Sequence, residues 1–176
     1  MHTALVLAPF LLATVGLALI LPVIYKLCRS GSIEDISPEW LENFSPSSYD
    51  TMRNLLAEDD FKFISRQPGF DLQLYRKLRH DRLRIFRQYL NRMIRDFNRL
   101  HLAARAILAN SPEDCSELAT RLIWLKVRFS MSVLKVQMNY FLCYAGVSYV
   151  TASVLIVRLE EMSAQLNSIA AANAAA

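Results

Sequence analysis

From Leu72 to Ala109 apolar residues recur every three or four positions. At about 100° per residue, Tyr75, Leu78, Phe86, Tyr89, Met93, Phe97, Leu100, Ala104 and Ile107 fall on one stripe. That is the period of an α-helix with one buried face, and it predicts a helix over 72–109, roughly 57 Å long. Asp71 is placed to cap it, and Pro68-Gly69 forces a turn before it. A shorter accessory helix is expected over about 48–66, interrupted near Glu58-Asp59-Asp60.

A second long helix starts where Ser111 can act as N-cap, Pro112 suits the first helical position, and Glu113 and Asp114 favour the positive helix end. Nothing obvious stops it before Ser168, so the pattern predicts one helix over 112–168. Between Leu122 and Val157 its only charges are Lys126, Arg128 and Lys135. A helix apolar almost all round is enclosed by others, shared with a second copy, or in lipid. The 22 uncharged residues from Val136 to Val157 could span a bilayer, but Gln137, Asn139, Ser148, Thr151, Ser153 and three tyrosines dilute them, which favours a core helix. Residues 169–176 are Ala-rich and are expected to form a disordered tail.

A short connection near Asn110 makes the two long helices an antiparallel hairpin in which facing positions add to about 220. This sets Arg82 beside Asn139 and Tyr140, a candidate buried polar pairing. Arg79 and Arg82 both project within the apolar stripe and need partners if buried.

The N-terminus has a different pattern. "TALVLAPFLLATVGLALILPVIY", Thr3 to Tyr25, is 23 residues without a charge, where about 20 suffice to cross a bilayer as a helix. A cleaved signal peptide would carry basic residues before the apolar core and a small-x-small site after it. Here the basic residues, Lys26 and Arg29, follow the core, which reads as a retained anchor. By the positive-inside rule they keep the chain beyond them cytoplasmic and the N-terminus outside, in a plasma or inner membrane. Residues 1–29 are thus a transmembrane segment with its juxtamembrane flank. Residues 30–47, rich in Ser, Pro and acid, are a tether with a helical turn at "PEWLENF", whose Trp40 and Phe44 are expected to dock. The fold class is all-α: a transmembrane helix, then a helical domain over 48–168 built on a long antiparallel hairpin with a shorter accessory helix.

Charge sharpens this picture. Arg76 to Arg105 holds ten Lys and Arg against Asp81 and Asp96, a formal +8, whereas Ser30 to Phe61 holds eight carboxylates against Arg53, a formal −7. On the outward half of the 72–109 helix, Arg76, Lys77, Arg84, Arg87, Arg92, Arg95 and Arg99 are the candidate contacts for an anionic surface. The simplest account is a solvated face partly offset by the acidic segment. Nucleic acid fits less well, because the basic set lacks interleaved aromatics and follows a membrane segment.

Catalytic chemistry finds no footing. There is no HExxH, GxSxG or phosphate-cradling glycine loop. His80 and His101 lie roughly 32 Å apart along one helix, too far to share a metal. Cys28, Cys115 and Cys143 form neither a disulfide framework nor a CxxC pair. The expectation is a non-enzymatic, cofactor-free, membrane-anchored cytoplasmic scaffold or adaptor acting by self-association or protein binding. The alternative is a basic helical module for anionic membrane or nucleic acid.

Overall fold

In a computed structural model of the chain, the regular elements described are all helical. The structure describes Tyr25 and residues 37–56, 63, 66, 71–110, 116–144 and 152–175. Apart from Tyr25, the apolar segment over 3–25, with Lys26 and Arg29, lies outside the described residues, as does the Ser111-Pro112 helix start. Met1–Ser30 and Gly31–Ala176 are separate compact units, and every helix below belongs to the second.

Helix α1, Pro38–Glu42, begins where the Ser37 Oγ accepts the Trp40 N–H at 3.1 Å and Pro38 sits in the first turn. A 3-10 turn over Pro46–Tyr49 and the short helix α2, Thr51–Asn54, follow it. The accessory helix expected over 48–66 is therefore broken at its start, because Pro46 and paired serines favour a tight turn there, and its remainder with the Glu58-Asp59-Asp60 run lies, apart from positions 63 and 66, outside the described residues. Helix α3, Leu72–Ala109, has the expected extent, and the Asp71 Oδ1 caps it by accepting the Gln73 N–H at 2.8 Å.

The expected single helix over 112–168 is two helices, α4 over Ser116–Tyr144 and α5 over Ser153–Ala175. Between them the sequence holds Gly146, Val147, Val150 and Thr151, residues of low helix propensity, and the Ala152 carbonyl starts α5 by accepting the Leu155 and Ile156 N–H groups. Residues 136–157 are thus not one helix. Among the described residues no helix is long and apolar enough to cross a membrane. The tail expected from 169 is helical through Ala175, since alanine is the best helix former and Ile169 is buried.

Helices α3 and α4 form the antiparallel hairpin, and α5 packs on both, so the hairpin is completed as a three-helix arrangement. Phe97 stacks on Phe129 with centroids 3.7 Å apart, and Phe86 stacks on Tyr140 at 6.3 Å. This register is displaced by about six residues from one centred on Asn110, since both facing pairs add to about 226 rather than 220. Helix α5 buries Leu155, Ile156, Leu159, Met162, Leu166 and Ile169 on one face. The buried stripe of α3 is wider than its periodicity suggested, adding Leu83, Leu90, Ile94 and Ala103, because the helix meets two neighbours rather than one.

Candidate functional site

Helix α4 is apolar on two opposite faces. Leu122, Phe129, Val133, Val136, Tyr140 and Cys143 are buried in the bundle. On the other side, Trp124, Val127, Met131, Leu134, Met138 and Phe141 repeat at alternating steps of three and four, the spacing of a heptad seam. The contrast is large: Phe129 and Val133 are 0 % exposed, Trp124 60 % and Met131 63 %. Val127 and Met138 are also exposed, while Leu134 and Phe141 are half-buried. The outer side of α4 thus carries four exposed apolar residues, Trp124, Val127, Met131 and Met138, in one heptad line.

Charge is organised along the seam. Arg121, Arg128 and Lys135 recur every seven residues on one edge, all exposed, and no carboxylate occurs on α4 between Leu118 and Tyr144. Arg121 is tied to Glu117 at 2.7 Å. On or beside the seam, the Ser130 and Ser132 hydroxyls donate to the Lys126 and Arg128 carbonyls of their own helix, so they need no outside partner. Beyond Trp124, a groove of about 860 Å³ opens between antiparallel α4 and α5, with Arg121 and Arg128 on one wall and Glu161 and Gln165 on the other.

The arginines of α3 divide by environment. Arg76, Lys77, Arg87 and Arg95 lie on the exposed face. Arg84 pairs with Asp81 at 2.7 Å, Arg92 approaches Asp96 at 3.7 Å, and the Arg99 guanidinium lies 5.3 Å from the Trp40 ring centre. Of the two stripe arginines, Arg79 donates to the Cys143 carbonyl at 2.6 Å. That carbonyl belongs to the last turn of α4, the negative end of the helix, where a cation is favoured, so Arg79 acts as its cap. Arg82 and Asn139 are half-buried, and Tyr140 is buried.

Sequence reasoning passed over Asp96, which is only 6 % exposed. The Tyr49 hydroxyl donates to its Oδ2, joining the acidic N-terminal segment to α3. Burial first, and then the bond to Asp96, push the Tyr49 phenol above its ordinary value, so it stays a donor. Met52 and Leu56 of the same segment are buried, and Arg53 reaches Glu160 of α5 at 3.3 Å. Residues 37–56 are therefore docked on the bundle through Trp40, Tyr49 and Met52, with Glu39 and Glu42 left exposed. Periodicity could not show this, since a lone aspartate inside an apolar stripe looks like a solvated edge residue.

A cavity of about 550 Å³ lies between α3 and α4, lined by His101, Arg105, Leu122, Ile123, Lys126 and Val127 among others. The His101 Nε2 is buried without a hydrogen-bond partner. Burial, followed by the charges of Lys126 and Arg105, lowers this imidazole to about 4, so it is neutral near pH 7. Among the described residues no group of three His, Cys, Asp or Glu side chains could hold a metal ion. Comparison with known proteins finds no matching family model, no matching curated protein and no matching solved structure.

Proposed function

We propose that this chain is a membrane-anchored helical scaffold that works by non-covalent docking and carries out no reaction. Residues 3–25 tether it, with Lys26 and Arg29 holding residues 30 onward in the cytoplasm. The helical unit then presents the outer face of α4 to its partner. The observation that carries this reading is the largely exposed apolar seam from Trp124 to Phe141, set against the buried core face on the other side of the same helix. A solvated helix has no use for six apolar residues at heptad spacing on its outer side. The basic face of α3 supports a second reading, contact with an anionic surface through Arg76, Lys77, Arg87 and Arg95, which are exposed. Nucleic acid is the weaker version of it.

Photo-crosslinking in native membranes tests the reading. A photoreactive residue replacing Met131 should capture whatever the seam docks on, lipid or protein, and one replacing Arg95 should give few adducts. Equal adduct patterns at the two positions would sink it.

A further inference from the structure

We propose that the outer face of α4 docks on an anionic membrane surface, its apolar seam entering the boundary between headgroups and acyl chains while Arg128 and Lys135 meet the lipid anions. This rests on, and deepens, the reading of the chain as a membrane-anchored docking scaffold.

Two candidates compete for the seam, a second copy of α4 and a lipid surface, and charge separates them. In an antiparallel pairing of two copies centred on Met131 and Leu134, Arg128 of each helix stands against Lys135 of the other. Two like-charge contacts flank such a seam. In a parallel pairing the same cations face Ile123 and Ser130, and neither finds a carboxylate. The flanks of a self-paired coiled coil carry complementary charges, and these do not.

An anionic lipid surface suits every feature of the face. An interfacial helix carries Trp, Phe and aliphatic residues on one side with Lys and Arg beside them, which is the order found across α4. Trp124 and Phe141 stand at the two ends of a seam roughly 25 Å long, and aromatic rings favour the headgroup level. The Ser130 and Ser132 hydroxyls are satisfied within the helix at 2.8 and 2.9 Å, so immersion strands neither. Arg128 and Lys135 lie on the same edge of the seam and reach the same headgroup layer. The cytoplasmic leaflet is the anionic one, and it is the leaflet beside which Lys26 and Arg29 would hold the domain. Anchoring through residues 3–25 makes docking intramolecular, so a modest apolar strip suffices at the high effective concentration of a tethered module.

The chain has two tryptophans, and Trp40→Phe leaves Trp124 as the single reporter while keeping a ring at position 40. Full-length protein is reconstituted into phosphatidylcholine vesicles with and without phosphatidylserine, each carrying brominated acyl chains. With phosphatidylserine, bromine quenching of Trp124 should rise roughly twofold or more, and acrylamide quenching from water should fall. Arg128→Glu with Lys135→Glu, and separately Met131→Glu, should return both signals to the phosphatidylcholine level; all three positions are exposed, so folding is spared.

Trp124 fully open to acrylamide in both vesicle types overturns the proposal, and so would leave an acidic protein as the occupant. Shielding that tracks protein-to-lipid ratio without bromine quenching also overturns it, in favour of a second copy. Retention in phosphatidylcholine vesicles after carbonate washing reports the anchor independently. Retained chains with water-exposed Trp124 defeat docking and keep the anchor; chains lost from phosphatidylcholine but bromine-quenched on phosphatidylserine defeat the anchor and keep docking.

Discussion

Helices α3 and α4 share one core yet turn opposite chemistries outward. The outer face of α3 is dense in arginine, and part of that charge is spent within the molecule: Arg84 on Asp81, Arg92 on Asp96, Arg99 on Trp40. The outer face of α4 carries Trp124, Met131 and Met138 with a single edge of cations. The density of arginine draws the eye to α3, but surface charge is readily satisfied by water, whereas a continuous apolar seam is not. The comparison teaches that the conspicuous helix frames the fold, while the plainer one carries the exposed apolar face on which the proposed docking rests.

The comparison breaks most sharply on α4 itself. Phe129→Ala, on the inner face, should cost about 3 to 5 kcal/mol because it empties the slot against Phe97, whereas Met131→Ala should stay within about 0.5 kcal/mol. Thermal melts of the full chain in detergent read both. Similar losses would mean that the outer seam is structural after all.

The place where cations of the two helices converge gives the next largest effect. His101 is neutral in the fold because burial, Lys126 and Arg105 oppose its protonation, while the unfolded chain protonates it near its ordinary 6.5. Its contribution is therefore complete above pH 6.5 and is lost as pH falls toward about 4, by on the order of 3 kcal/mol. His101→Leu should flatten the decline in urea midpoints across that window. An unchanged decline would assign the acid loss elsewhere.

Within α3, Asp96 and Arg92 should separate. Asp96→Ala leaves the Tyr49 hydroxyl buried without its acceptor and should cost about 1 to 3 kcal/mol, with faster hydrogen exchange over residues 37–56. Arg92→Ala should cost about 0.5 kcal/mol or less, since that side chain is 64 % exposed. The smallest contrast lies between Arg79→Ala, at about 1 to 2 kcal/mol for the lost cap on α4, and Arg95→Ala, at about 0.5 or less. Equal melting shifts for Arg79 and Arg95 would contradict the capping role.

Much of α3 was legible in advance. Its bounds follow from a capping Asp71 and an unbroken period of three and four, and both are local properties. The non-helical Ala152 was less visible, because Gly146 and the β-branched residues in the sequence near it weaken a helix without forbidding it. The seam on α4 was present as the heptad repeat of Trp124, Met131 and Met138, but it was hidden by an equally apolar set at Phe129, Val133 and Val136.

Sequence alone determined that this chain is helical, where α3 begins and ends, and that its charge is divided between an acidic segment and a basic helix, because propensity, capping and periodicity act over a few residues. Tertiary structure decided which apolar face of α4 turns inward, which residues of α4 meet Phe86 and Phe97, and that Asp96 is buried. Those outcomes depend on groups distant in the chain: the volume offered by α3 and α5, and a hydroxyl at Tyr49 that reaches across 47 residues to the carboxylate.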